Sequence, residues 1–387
     1  MSWRREPPVL SPVSARGIAA GVLATLGLGS GEDERGAAAL RAEFGAEDVL
    51  LTDSGTSALV IAMRRAAGVG TVALPAFGCP DLAAAAVRAA VRVRLYDLDP
   101  LTMSPDLDSV RAVLTRGVDA IVVAHFYGYP ADVHGVQRCA AEHGVAVIED
   151  AAQGASGTLL GARLGSIADE VVLSFGRGKG MTAGSGGALL SRRSTSSKRH
   201  RQVEAARTTG REVATLCAQW ALARPSLYRL PTSIPMLKLG ESVYHPAQEP
   251  RAMSATAAAM LPNAIAMERV ESHARRENAA TILGRIDPRS NFAPVRSIRG
   301  GTAGYLRFAV IDGSGRAAQS AEIGALRTYP KTLDEHPQLQ PMLAAGERAG
   351  RGAMYLRDRL FTLPTHSRVT AEGMDRIVRW LRAPAAK

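Results

Sequence analysis

Residues Val171–Leu190 read VVLSFGRGKGMTAGSGGALL. A buried-looking apolar run, Val171–Leu173, delivers Ser174 and then a loop of glycines carrying Lys179. A small-residue turn follows, and then a second apolar run, Gly187–Leu190. The chain has four other lysines, Lys198, Lys238, Lys331 and Lys387, and the rest of its positive charge is arginine. A lysine amine can form a Schiff base or lose its proton once its pKa is lowered, whereas a guanidinium does neither near neutral pH. Lys179 is therefore a candidate for covalent chemistry; the alternative is an ordinary surface-loop lysine.

Upstream of this stretch, residues 49–150 alternate short apolar runs with longer helical patterns. Strands are expected at Val49–Leu51, Thr71–Leu74, Val91–Tyr96, Ala120–Ala124 and Val145–Ile148. Helices are expected at Thr56–Ala67, from Pro80, at Asp106–Leu114 and at Asp132–His143. Val91–Tyr96 alternates apolar residues with arginine, which places it nearer a sheet edge, and AIVVA at Ala120–Ala124 reads as central. This βαβα order implies an α/β fold built on a mostly parallel sheet covered on both faces. Downstream, Val203–Leu222 looks helical, and a proline-spaced segment from Pro225 to Pro250 marks the join to a smaller α/β unit. We expect a large domain over residues 1–245, with an N-terminal helix in the Gly17–Leu28 run, and a smaller one over 246–387. Within the smaller unit, Ala255–Leu283 reads as helical, divided near Pro262. Strands follow at Tyr305–Ile311 and Leu360–Leu363, and a closing helix at Thr370–Leu381.

At 387 residues the chain suits one large and one smaller domain. Three cysteines (Cys79, Cys139, Cys217) without CxxC or Cys/His spacing argue against a disulfide framework and against zinc, and fit a reducing, cytoplasmic setting. The net charge of +11 comes from scattered arginines rather than basic runs interleaved with aromatics, so nucleic acid is not the expected partner. The cluster Arg192–Arg201 reads as solvated surface, with steering of an anionic substrate as its functional alternative. No segment is expected to span a membrane.

In a parallel α/β sheet, ligands gather beyond the carboxyl ends of the strands. There the sequence places Ser54–Ser57, then Phe77 and Cys79, then His125, then Glu149 and Asp150 with Gln153, then Ser174 and Lys179. Gly55, Thr56 and Ser57 open a helix, where free amides, hydroxyls and the helix dipole suit a phosphate; a plain N-cap is the alternative. Asp150 ends a buried strand, where a carboxylate needs a cationic partner. The ring nitrogen of pyridoxal phosphate would be one, with Gln153 reaching the ring's phenolic oxygen; a structural ion pair or helix cap is the alternative.

Five motifs carry a resemblance to a known family: GTSAL at Gly55–Leu59, LPAF at Leu74–Phe77, HFYGYPADV at His125–Val133, VIEDAAQGASGTLLGARLGS at Val147–Ser166 and SFGRGKGMTAGSGGALL at Ser174–Leu190. In these the chain resembles the DegT/DnrJ/EryC1/StrS sugar aminotransferases. The resemblance implies the fold type I, aspartate-aminotransferase-like architecture of pyridoxal 5'-phosphate (PLP) enzymes. It implies Lys179 as the Schiff-base lysine, Asp150 as partner of the ring nitrogen, and Gln153 beside the phenolic oxygen. Thr56, Ser57 and Ser174 match the phosphate-holding positions. It also implies a homodimer and an amino donor, glutamate or glutamine. The implied acceptor is a ketone, first a keto-deoxysugar nucleotide and second a cyclitol or other non-sugar ketone. Two departures stand out. Cys79 occupies a position where many members stack an aromatic ring on the cofactor, and the family's Asn-Tyr-Arg segment has only Glu249–Ser254, with Arg251, as counterpart. These departures leave open a family member that binds PLP as a regulatory protein without turnover. LPTH at Leu363–His366 resembles the Leu-Pro end of the family's small domain, with His366 read as structural.

Overall fold

A computed structural model of the chain describes residues 5–193, 203, 210–222, 224, 226–228 and 242–382. Lys198, Lys238 and Lys387, most of the Arg192–Arg201 cluster and parts of the 203–222 and 225–250 stretches lie outside the described residues. In chain order the elements are α1 (Ala15–Thr25), α2 (Glu32–Phe44), β1 (Asp48–Thr52), α3 (Gly55–Ala67), β2 (Thr71–Pro75), α4 (Pro80–Ala89), β3 (Arg92–Tyr96), α5 (Leu107–Thr115), β4 (Ala120–Ala124), α6 (Val133–Ala141) and β5 (Ala146–Asp150). Then come β6 (Thr158–Leu159), β7 (Ala162–Arg163), β8 (Glu170–Ser174), β9 (Gly187–Ser191), α7 (Gly210–Leu222), α8 (Ala255–Arg285), β10 (Phe292–Pro294), β11 (Gly301–Thr302), β12 (Phe308–Asp312), α9 (Arg351–Arg359), β13 (Leu360–Leu363) and α10 (Ala371–Arg382).

The main sheet has seven strands in the order β1-β9-β8-β5-β4-β2-β3, and β9 alone runs antiparallel to its neighbours. Both apolar runs of the opening stretch are thus paired strands, with Val171 opposite Leu190 and Leu173 opposite Ala188. β4 lies inside the sheet with all five residues buried, and β3 forms an edge with Arg92 exposed. Each fully buried Val or Ile of such a strand contributes about 1.5–3 kcal/mol relative to exposure. The helices start where their caps sit: Ser54, Asp106 and Asp132 accept first-turn amides of α3, α5 and α6, and Pro80 opens α4. Among the described residues, no helix is long and apolar enough to cross a membrane.

Two local expectations are corrected. Residues Ala255–Arg285 form one helix with Pro262 inside it, rather than two helices divided there. Proline removes the amide that would bond the carbonyl four residues back, that of Ala258. That carbonyl faces α2 at Gly36, where an added Cβ would lie 3.0 Å from its oxygen. Close packing of the two helices, with Leu40 and Leu261 both fully buried in one core, keeps α8 continuous. The second correction is to Tyr305–Ile311, whose strand begins only at Phe308. Tyr305 has φ 49°, and the Gly304 and Arg307 amides donate to the carbonyls of Gly128 and Tyr127 instead of to a strand.

The C-terminal part carries a three-stranded antiparallel sheet, β10-β12-β13. Its core joins Phe308, Val310, Phe361 and Leu363 to Ala279 and Ile282 of α8 and Ile377 of α10. Ala257–Ile265 of α8 instead pack with Phe44, Val171 and Leu190 in a core of the main sheet. The short strands β6, β7, β10 and β11 had no sequence signal of their own, since two or three residues carry no period.

Candidate active site

The carboxyl ends of β5 and β8, the start of α3 and the Lys179 loop converge on one cavity. Its walls include Gly55, Thr56, Cys79, His125, Asp150, Gln153, Ser174 and Lys179. At the start of α3, a Cβ on Gly55 would lie 2.6 Å from Ser174 Cβ, so only glycine lets the last residue of β8 approach the helix start. First-turn amides of a helix have no intrahelical acceptor, and here Thr56 and Ser174 line the same end of the cavity as that helix start. Ser57 is placed differently: it is absent from the cavity wall, and Ser54 Oγ both accepts its amide at 3.0 Å and donates to its Oγ at 2.9 Å. The cap and the anion cup are therefore different residues of one turn.

Lys179 is flanked by Gly178 at φ 79° and by Gly180, where a Cβ would come within 2.9 Å of Ala155 Cα. The Gly178 amide donates to Ser11 Oγ at 2.8 Å, tying the loop to the N-terminal segment. Lys179 is half-buried and has no hydrogen-bond or ion-pair partner among the described residues. Across the cavity, Asp150 Oδ1 accepts the Ala152 amide at 3.0 Å. Burial pushes the Asp150 carboxyl above its usual range, an effect only partly offset by that amide and by the charge of Lys179.

The neighbouring Glu149 is a structural carboxylate. Its oxygens accept the amides of Gly165, Ile167 and Ala168, and His125 Nε2 lies 3.0 Å from Oε1. Burial alone would raise this carboxyl, but His125 and the amides hold it below the ordinary value. Since His125 Nδ1 accepts the Ala131 amide, Nε2 carries the proton and donates it to Glu149. Both ring nitrogens are committed to hydrogen bonds within the protein, so His125 holds its place in the cavity wall.

Gln153 faces the cavity, with its amide already engaged: Oε1 accepts the Tyr127 amide at 3.2 Å, and Nε2 donates to Tyr329 Oη at 2.6 Å. Phe77 is buried edge-on against Phe126 and Tyr329, outside the cavity wall. His366 is buried at the N-terminal segment, where Nε2 donates to the Pro7 carbonyl at 2.8 Å, and burial pushes its imidazole down. The Arg251 carbonyl accepts the Asp53 amide at 2.8 Å, and Ala252 bridges to Thr52, so the Glu249–Ser254 segment runs beside the strand that leads into α3. Asp81 also lines the cavity. In sequence it reads only as an acidic first-turn residue of α4 suited to the helix dipole.

The model of the DegT/DnrJ/EryC1/StrS aminotransferase family matches residues 28–230, more than half of the chain. The chain belongs to this family. A relative from Streptomyces fradiae, L-glutamine:2-deoxy-scyllo-inosose aminotransferase, is 28% identical over 295 residues, 73% of this chain and 65% of its own length. The 3-amino-5-hydroxybenzoate synthase of Amycolatopsis mediterranei is 34% identical over 151 residues, 38% of this chain and 39% of its own. The chain thus spans less than two thirds of either relative. Among solved structures, S. venezuelae DesV in complex with a ketimine intermediate superposes with a TM-score of 0.75 at 19% identity, covering 98% of both chains, which establishes a shared fold.

DegT-family aminotransferases use PLP, and the cavity fits it on three structural grounds. A lysine amine without a partner opens into it, and its half-buried carboxylate has no hydrogen-bonded cation to offset its desolvation. The helix start is open to an anion through Gly55, with two hydroxyls beside it.

Cys79 is the N-cap residue of α4 and forms part of the wall. Burial, and then the nearby Asp81 carboxylate, push its thiol well above the ordinary range, so it stays protonated. Replacing it with phenylalanine is expected to tighten PLP binding about 3- to 10-fold through stacking. Fluorescence titration of the apo-protein checks this, and weaker binding would mean that the thiol's small size is required.

Proposed function

We propose that this protein is a PLP-dependent aminotransferase moving an amino group from glutamate or glutamine to a ketone on a polyhydroxylated six-membered ring. The reading rests on one observation above all: the free amine of Lys179 and the half-buried carboxylate of Asp150 share a cavity with an anion-ready helix start. In this reading the Gly55 and Thr56 amides, with the Thr56 and Ser174 hydroxyls, hold the cofactor phosphate. Asp150 holds a protonated ring nitrogen, and Gln153 sits beside the phenolic oxygen. When bound, PLP supplies an electron sink for the carbon that loses or gains the amine. Lys179 Nζ takes the proton from the donor's α-carbon and later returns one to the acceptor carbon. His125 and Glu149, locked to each other and to backbone amides, keep the end of β5 in place.

The motifs alone favour a keto-deoxysugar nucleotide as acceptor. The name of the S. fradiae relative, specific for a deoxy-inosose, favours the cyclitol reading. The free thiols Cys79, Cys139 and Cys217 support a cytoplasmic setting, and we take the working unit to be a homodimer, to be checked by light scattering.

The test is spectroscopic. PLP-loaded protein mixed with L-glutamine or L-glutamate is expected to lose its visible absorbance. Adding a cyclitol ketone or a keto-sugar nucleotide then restores it, with the aminated product identified by mass. Absence of any spectral change with both donors would leave a cofactor-binding protein without turnover.

A further inference from the structure

Arg307, just before β12, is only 7% exposed, and no carboxylate pairs with it among the described residues. Nη2 donates to the carbonyls of Gly324 and Thr362 at 3.2 Å each, and Nε has no partner. Burial pushes its pKa down to about 10, and the only groups that oppose this shift are the hydroxyls of Tyr127, Tyr329 and Tyr228. The other deeply buried arginine, Arg275, differs in having Glu271 and Glu268 within electrostatic reach. A buried guanidinium without a counter-ion is costly, and that cost is recovered when an anion arrives.

Its position identifies the anion. The Arg307 amide donates to the Tyr127 carbonyl at 3.3 Å. The Tyr127 amide in turn donates to Gln153, whose Nε2 reaches Tyr329. The rings of Tyr127 and Tyr329 stack with centroids 5.7 Å apart, and Tyr127 Oη bonds Thr328. Tyr228 is within electrostatic reach of both Arg307 and Arg177, the latter two residues before Lys179. The cation is therefore linked to the cavity through Gln153, which lines it, whereas Arg307, Tyr127 and Tyr329 are buried behind that wall rather than part of it. We propose that Arg307, with the hydroxyls of Tyr127 and Tyr329, forms the site for the carboxylate of the amino donor. This deepens the function proposed above and rests on it. Guanidinium offers a planar fork that matches a carboxylate, which a lysine in its place would not.

Glutarate, a dicarboxylate with no amine to donate, serves as the probe. PLP-loaded wild-type protein is expected to bind it in calorimetry, and to bind it about 100-fold more weakly after Arg307→Met. Arg307→Lys, which keeps the charge but not the fork, is expected to lose about 10-fold and covers the case in which the methionine variant fails to fold. Glutarate is also expected to compete with glutamate in bleaching the visible band, and not with the ketone acceptor. Unchanged glutarate affinity in folded variants, no binding to the wild type, or competition with the acceptor alone would each overturn the assignment. A purely structural role would lower the melting temperature without moving that affinity. Failure of glutamate to bleach the band at all is a separate result, bearing on the aminotransferase reading, because glutarate binding is measured without turnover.

Discussion

Lys179→Ala is expected to lower the amino-transfer rate by at least about 10⁴-fold, the upper range for losing a positioned proton-transfer group, and more once its covalent role is lost. Nothing among the described residues hydrogen-bonds to the Lys179 amine, so its removal takes away no hydrogen bond and only a weak attraction to Asp150. The melting temperature of the apo-protein should therefore stay within about 1 °C of wild type, as for substitutions away from packing and networks. The variant should also lack the visible absorbance of lysine-bound PLP. A variant that kept both that absorbance and a measurable rate would assign the chemistry to another amine. Of the remaining lysines within the described residues, only Lys331 is a candidate, and it is exposed and outside the cavity wall.

Asp150→Asn should separate stability from activity. In the ligand-free protein, burial raises the Asp150 pKa above that of an unfolded aspartate. As pH rises from acid, the unfolded chain therefore ionises first, and the folded state loses its relative advantage as pH passes through the folded pKa. The native carboxylate thus works against stability at neutral pH, and asparagine removes that penalty. The apo-variant should melt about 2 °C higher at pH 7, corresponding to about 1 kcal/mol. The difference should vanish below the pKa of an unfolded aspartate. The rate should fall about 10³-fold, as for removal of a preorganised electrostatic partner. Melting curves of the apo-protein between pH 4 and 8, set beside single-turnover rates, check both halves. A variant less stable than wild type at pH 7 would mean that the carboxylate has an internal cationic partner.

Much of the candidate site's placement was legible before the fold was known because its parts lie at strand ends, and strand ends can be read from short apolar runs. Asp150 follows the run Val145–Ile148, Ser174 follows Val171–Leu173, and Gly55–Thr56 follow Val49–Leu51 by one short turn. Three things were not legible. Glu149 and Asp150 are adjacent carboxylates with the same local signal; only the amides of residues 165–168 and the ring of His125 single out Glu149 as structural. Ser57 looks as suited to a phosphate as Thr56, until the Ser54 hydroxyl takes up its amide and oxygen. Pro262 carries a breaker signal that the packing of α2 against α8 overrides.

The sequence by itself determined the alternation of strands and helices, and placed an aspartate at the end of one strand and a lysine in the loop after another. These depend on local spacing and residue type. Tertiary structure alone decided that Arg307, about 130 residues beyond Lys179, lies behind Gln153 without an acidic partner. It also brought Asp81 into the cavity wall. Whether a buried charge has a counter-ion depends on which distant segments pack around it, and no local pattern in a chain encodes that.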